Sequence, residues 1–227
     1  MDAISSKSPV EINLKYMIEQ DEEYEVIIYG PILGDIIQLK IEIPENSNIE
    51  YLTREKNKTA LILGGIHSFG IGCTACGVMF SNIIGRKLGL NIINASFNEK
   101  DFLKNTYKYL KKNKNKEHDF TILEMDYIWQ NEKIFNKYIE KIIKQIKSKN
   151  NYLICWYSLP KTNERKHAKL KEISKKYSKD EKIVFFDFSF LYDEEYSEMC
   201  THSNNFINDT ANIMIYKKIS EYLKKIN

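Results

Sequence analysis

Residues 59–70 read TALILGGIHSFG, an apolar run that ends in two glycines and passes directly into the polar pair His67 and Ser68. Short apolar runs bounded by glycine are typical of strands that are covered on both faces of a sheet. A helical pattern follows over residues 75–88, and the apolar run NIIN comes after it at residues 91–94. This stretch therefore predicts a strand, a glycine-rich loop, a helix and a second strand.

The alternation of strand and helix continues to the end of the chain. It predicts a parallel sheet with helices on both faces, an α/β fold of the three-layer αβα sandwich class. Ligands of such sheets collect beyond the carboxyl ends of the strands. Further strands are expected in residues 119–125, 151–157 and 182–188, and further helices in residues 135–146, 165–177 and 211–226.

The residues before this alternation follow another pattern. Residues 23–29 (EYEVIIY) and 36–43 (IIQLKIEI) alternate apolar and polar side chains around turn signals at Gly30-Pro31 and Gly34-Asp35. Such alternation around a turn predicts a β-hairpin. We expect a small β-rich N-terminal element over residues 1–57 and an α/β domain over residues 58–227.

Charge and composition exclude several classes of function. The chain has 34 Lys and Arg against 31 Asp and Glu, a net charge of +3, with both signs spread along it, which does not indicate a nucleic-acid partner. The Lys-rich residues 104–116 are interpreted as a solvated helix end and loop. No apolar run approaches the roughly 18 residues that a membrane span needs, and residues 1–9 lack a leader pattern. A cytoplasmic location with reduced cysteines is expected.

Residues 64–70, with the strand before them and the helix after them, resemble the first block of the SGNH/GDSL hydrolases. That block runs strand, Gly-Asp-Ser-(Ile/His)-(Thr/Ser)-x-Gly, helix. The continuation GRKLGLNIINAS at residues 85–96 also resembles this family, and the N-terminal β element is similar to one that precedes the hydrolase domain in one branch. The resemblance implies an SGNH/flavodoxin-like sandwich and, in active relatives, ester hydrolysis by a serine, a histidine and an aspartate. Ile66 occupies the position of the serine.

The end of the chain aligns with the family's last block through residues 208–212 (NDTAN) and the helix that follows. This register places Phe206 at the position of the histidine and Ser203 at that of the aspartate. A shifted register places His202 at the histidine position, but Met199 then stands where the acid belongs. In neither register is the triad complete.

Two further blocks of the family supply oxyanion donors. Ser96 stands at the glycine position, where its backbone N–H would still donate, and Asp126 lies near the asparagine position, where an ionised carboxylate would repel developing negative charge. Together with the first and last blocks, these positions predict a pocket at the edge of the sheet. The expected lining residues are Gly65, Ile66, His67, Ser96, Asp126, His202 and Phe206.

The loss of all three triad residues favours a protein that has lost ester hydrolysis and binds a small acyl-type ligand or a partner protein, without a cofactor. An alternative is an active ester or acyl hydrolase, or an acyltransferase, with relocated residues among Ser68, Cys200 and His202. A third is a structural or interaction protein with a closed pocket. Cys73 and Cys76 form a lone C-x-x-C, which is a weak metal signal, and no metal site is expected.

Overall fold

The computed structural model describes residues 48, 50, 58–98, 101–125, 131–147, 151–202 and 206–226. The predicted hairpin in residues 23–43 lies outside the described residues. So does the rest of the N-terminal element, apart from residues 48 and 50. Two expected site residues, Asp126 and Ser203, also lie outside them.

Five parallel strands form the central sheet in the order β2-β1-β3-β4-β5. This is the flavodoxin-like strand order, and it confirms the predicted α/β class. All five strands fall where the apolar runs predicted them. Their bounds are β1 Lys58–Leu63, β2 Leu90–Asn94, β3 Phe120–Glu124, β4 Tyr152–Tyr157 and β5 Ile183–Asp187.

Seven helices are present among the described residues, and a short antiparallel pair, β6 Thr201–His202 with β7 Phe206–Ile207, precedes the last of them. None of these helices is both long and apolar enough to cross a membrane. Their bounds are α1 Ile66–Phe69, α2 Phe80–Leu88, α3 Phe102–Lys112, α4 Glu132–Lys147, α5 Glu164–Tyr177, α6 Glu194–Cys200 and α7 Asp209–Ile226.

Two of these helices differ from the sequence-based expectation. Helix α2 begins at Phe80 rather than near Ala75, because a 3₁₀ turn over Cys76–Val78 and an extended Met79 come first. The Lys-rich run covers more than the expected helix end and loop, because residues 104–112 make up most of α3 and only residues 113–116 lie in the loop after it. Its buried residues include Phe102, Leu103 and Leu110, and this apolar side holds it against the domain.

The side chains of the sheet divide into two cores, one on each face. Along β1, Leu61 and Leu63 belong to the core that contains residues of α3, α4 and α5, while Ala60 and Ile62 belong to the core that contains residues of α2 and α7. Side chains alternate along a strand, so successive residues of β1 point to opposite faces of the sheet. Ile66 joins the first core.

Candidate functional site

The loop after β1 is a single helical turn, α1, that begins at the carboxyl edge of the sheet. The N–H of Phe69 donates to the Gly65 carbonyl at 2.9 Å and the N–H of Ile71 to the Ile66 carbonyl at 3.0 Å. Gly70 ends the turn with a φ of +100°, a conformation that L residues rarely adopt. The sequence Gly-Ile-His-Ser-Phe-Gly thus fixes one tight turn.

Glu124, the last residue of β3, binds this turn through two hydrogen bonds to its backbone. Its Oε2 accepts hydrogen bonds from the N–H of Gly65 at 3.0 Å and from the N–H of Ser68 at 2.8 Å. The side chain is fully buried, and Gly64 makes room for it, since a Cβ there would lie 2.6 Å from the Glu124 Cβ. Backbone donors in this loop are therefore already satisfied by a carboxylate of the same chain.

His67 lies between Glu124 and the residue after β4, Ser158. Its Nδ1 is 3.3 Å from Glu124 Oε1 and 3.3 Å from Ser158 Oγ. Its ring lies against Trp156, with centroids 6.2 Å apart, and all of these side chains are buried. A catalytic relay needs the hydroxyl and the acid on different ring nitrogens. Here both approach Nδ1, so the three groups form a packed polar cluster without that geometry.

Ile66, which the sequence resemblance assigns to the nucleophile position, lies in the core. It is 7% exposed and belongs to the apolar cluster that includes Phe102, Leu123 and Met125. Phe206, which the resemblance assigns to the histidine position, packs against this same cluster. The two residues that the resemblance assigns to catalytic positions thus pack in one apolar core.

His202, the alternative candidate for the histidine position, lies on the protein surface. His202 pairs with Phe206 across β6 and β7, and its side chain is exposed. Cys200, two residues earlier, is fully buried and its Sγ contacts Met214 Sδ of α7 at 3.6 Å. Burial raises the pKa of the Cys200 thiol, which disfavours the thiolate that a nucleophile needs. The contacts of Cys200 and His202 therefore lie in the hairpin and against α7.

The backbones of Ser68 and Ser96 both form hydrogen bonds with the side chain of Asn94. Ser68 lies inside α1, and its carbonyl accepts from Asn94 Nδ2 at 2.8 Å. The N–H of Ser96, expected to be an oxyanion donor, donates instead to Asn94 Oδ1 at 3.1 Å. Asn94 thereby ties the end of β2 to the turn after β1.

The turn also contacts the C-terminal hairpin. Gly72 has a φ of +99°, and a Cβ at this position would lie 2.2 Å from the Ile207 carbonyl oxygen and 3.2 Å from the Phe206 Cβ. Nearby, the Thr74 N–H donates to Asp209 Oδ1 at 2.9 Å. The two ends of the predicted site are therefore packed together through backbone and through apolar side chains.

Solved structures share this architecture at low sequence identity. A psychrotrophic esterase, EstA from Pseudoalteromonas sp., matches with a TM-score of 0.55 and 17% identity over 74% of this chain and 97% of its own. A two-domain esterase active on acetylated mannans matches with a TM-score of 0.56 and 14% identity over 76% of this chain and 52% of its own. The chain has the fold of the SGNH/GDSL hydrolases.

The SGNH fold also hosts acyl transfer among the matches. The salicylyl-acyltransferase SsfX3, from a tetracycline biosynthetic pathway, has a TM-score of 0.55 and 14% identity over 82% of this chain and 60% of its own. This chain spans about half the length of the two-domain esterase, which it covers to 52%. No protein-family model and no curated protein sequence matches it.

The C-x-x-C of this SGNH-fold chain holds free thiols. Cys73 is partly buried, and burial, with Asp209 and Cys76 nearby, raises its pKa to about 12. No group of three His, Cys, Asp or Glu side chains in the described ranges could hold a metal ion.

Sequence reasoning missed two members of the polar cluster, Glu124 and Ser158. Both lie at the carboxyl end of a strand, where ligands of such sheets are expected. Glu124 is the last residue of the run FTILE, whose pattern predicts an apolar strand. An acidic residue inside a strand buried on both faces was itself the available signal, because a buried carboxylate needs partners.

Proposed function

We propose that this chain is a non-hydrolytic protein of the SGNH fold that acts by binding. The observation that carries the proposal is Ile66, a hydrocarbon side chain buried at the nucleophile position. Such a side chain has no atom that can attack a carbonyl.

The surrounding turn supports the same conclusion. The N–H groups of Gly65 and Ser68 donate to Glu124, so they are engaged before any substrate arrives. Transition-state stabilisation needs donors that are aimed at the developing oxyanion and still free to bind it. We infer that Glu124 has turned this loop into a structural element.

Of the two kinds of binding partner, a protein suits this packing better than an acyl-type ligand held beside Ile66. The reason is that Ile66 and Phe206 belong to, or pack against, one apolar cluster, and an acyl chain would have to displace them. We also place the protein in the cytoplasm, since its four cysteines are free thiols, as is common in reducing compartments.

Turnover tests the loss of hydrolysis directly. Native protein is incubated with p-nitrophenyl acetate and butyrate and, separately, with a serine-directed fluorophosphonate probe. An active GDSL esterase is the positive control and heat-denatured protein is the background. We expect rates and labelling at background. Turnover or labelling above that of denatured protein would overturn the proposal.

A second candidate, an ester or acyl hydrolase or an acyltransferase with relocated residues, rests on one contact. Ser158 Oγ lies 3.3 Å from His67 Nδ1, which is the kind of pair that activates a hydroxyl. The matched variants Ser158→Ala and Ser68→Ala separate it from the first proposal. If native protein labels with fluorophosphonate and only Ser158→Ala abolishes the labelling, the relocated site is the active one.

Binding is tested by melting temperature. Short-chain carboxylates and esters, from acetate to octanoate, are titrated against native protein. We expect no saturable rise in Tm, because the space beside Ile66 is filled. A saturable rise that Ile66→Phe removes would show an acyl-type ligand at this position and would replace the partner protein in the proposal.

A further inference from the structure

The net charge of +3 hides a division along the chain. Residues 1–57 hold 12 Asp and Glu against 5 Lys and Arg, a net charge of −7. Residues 58–227 hold 19 Asp and Glu against 29 Lys and Arg, a net charge of +10. The two signs of charge are therefore not spread evenly along the chain, in contrast to the expectation from the whole-chain total. The boundary between the acidic and the basic part coincides with the start of β1.

The most basic stretch of the α/β domain covers α3 and the loop after it. Residues 104–116, here named the basic face, contain six lysines and no acidic residue. Five of these lysines, Lys108, Lys111, Lys112, Lys114 and Lys116, are exposed. The helix faces its charges outward because Phe102, Leu103 and Leu110 hold its other side in the core.

Aromatic rings extend the basic face onto the neighbouring helix α4. The rings of Tyr107 and Tyr138 lie with centroids 5.6 Å apart, with Lys111 Nζ 5.2 Å from the Tyr107 centroid and Lys137 Nζ 5.4 Å from the Tyr138 centroid. Several lysines elsewhere in the domain form ion pairs with carboxylates. Examples are the pairs Lys147–Asp180 and Lys161–Asp193 at 2.6 Å and Lys176–Glu140 at 2.7 Å.

No ion pair between described residues involves Lys108, Lys111, Lys112 or Lys114. Like charges gathered on one face repel each other, and an acidic partner would relieve this repulsion. The basic face therefore has the charge of a docking surface for carboxylates.

Strand β1, which follows the acidic segment in sequence, begins close to the basic face. Residue 57 precedes β1, and the loop after α3 returns to the same point. The Thr59 N–H donates to Asp119 Oδ2 at 2.7 Å and the Asp119 N–H donates to the Thr59 carbonyl at 3.0 Å. The point at which residues 1–57 join the α/β domain thus lies next to the loop that follows α3, and covalent attachment there gives a high effective concentration.

We propose that residues 1–57 dock on the basic face of their own chain. Residues 19–25 (EQDEEYE) carry five carboxylates in seven positions without a lysine or arginine, and they are the segment that contacts the exposed lysines. The interaction is electrostatic, so salt weakens it.

Zero-length carbodiimide cross-linking tests the contact in the full chain. The reagent joins carboxylates and amines that touch, and peptide mass spectrometry maps the bonds. An equal mixture of ¹⁵N-labelled and unlabelled protein distinguishes links within one chain from links between copies. We expect bonds from residues 19–25 to Lys108, Lys111, Lys112 or Lys114, within one isotopic form and lost in 0.5 M salt.

Three outcomes would overturn the proposal. These are links from residues 19–25 mainly to lysines of α5 or α7, links mainly between isotopically different copies, and no links from this segment at all. The second outcome would assign the basic face to a second copy instead.

A charge variant gives an independent readout. In Lys108→Gln/Lys111→Gln/Lys112→Gln, hydrogen exchange in residues 1–57 should become at least twofold faster. The matched control Lys171→Gln/Lys175→Gln/Lys179→Gln removes three exposed lysines from α5 and the turn after it and should leave this exchange unchanged. Equal effects of both variants, or none from the first, would contradict docking on the basic face.

Discussion

The sequence resemblance assigns catalytic positions to the turn after β1 and to the hairpin β6–β7, and these two regions differ in how their polar side chains are held. At the turn, the buried Glu124 of β3 accepts hydrogen bonds from two backbone N–H groups, and the buried His67 lies between Glu124 and Ser158. In the hairpin, His202 is exposed, and Cys200, which ends α6 just before it, is buried against α7. The polar side chains at the turn are thus held inside the fold, while the imidazole of the hairpin faces solvent.

Glu124→Ala should have the largest effect on the turn. It removes the acceptor of the Gly65 and Ser68 N–H groups and leaves both buried donors unsatisfied. We expect the free energy of unfolding to fall by about 4 kcal/mol, the cost of removing one partner of a buried polar arrangement. Urea denaturation followed by circular dichroism measures it.

Glu221→Ala on α7 is the control, because this carboxylate is exposed and should cost no more than about 0.5 kcal/mol. A loss below about 1 kcal/mol in Glu124→Ala would show that the turn is not held by this carboxylate.

Gly72→Ala should break the contact between the turn and the hairpin. A Cβ there would lie 2.2 Å from the Ile207 carbonyl oxygen in a backbone that already has a φ of +99°. We expect a loss of about 3 kcal/mol, from backbone strain and from the clash together. Thermal and urea unfolding both report it.

Gly89→Ala separates these two causes. Gly89 has a φ of +64°, and a Cβ would meet nothing within 4 Å, so only backbone strain of about 1 kcal/mol is expected. If Gly72→Ala costs no more than Gly89→Ala, the hairpin does not press on the turn.

Cys200→Ser should cost about 2 kcal/mol, because a hydroxyl would replace the thiol in a fully buried position beside Met214. Cys200→Ala keeps the site apolar and should cost less. The two variants are compared by urea denaturation. Serine as the better tolerated residue would indicate a polar environment and would return Cys200 to the candidates for chemistry.

The fold was predictable from the sequence because the strands carry their signal locally. The runs that became β1, β4 and β5 are continuous and apolar, as sheets covered on both faces require. Helix α3 was missed because its exposed lysines dominate the pattern, while only a few residues such as Phe102 and Leu110 reach the core. A narrow apolar stripe is easily hidden in a lysine-rich composition.

The site was predictable only in part, because its contacts join distant parts of the chain. The position of Ile66 follows from a local motif. The partners of the turn do not: Glu124 lies 59 residues from Gly65, and Ser158 lies 91 residues from His67. The order of strands and helices along the chain predicts which strand ends lie at the same edge of the sheet, but it does not predict which side chains contact each other there.

His202→Ala should have the smallest effect, and it is the sharpest test of the comparison. The side chain is exposed on β6, opposite Phe206, and we expect a change in the free energy of unfolding of less than about 0.5 kcal/mol. Phe206→Ala, its partner across the pair, removes a ring packed on the Ile66 cluster and should cost about 2 kcal/mol. If His202→Ala instead cost more than Phe206→Ala, the imidazole would have partners in the native state. The hairpin would then hold a polar role like that of the turn, and the loss of the family's base would have to be reconsidered.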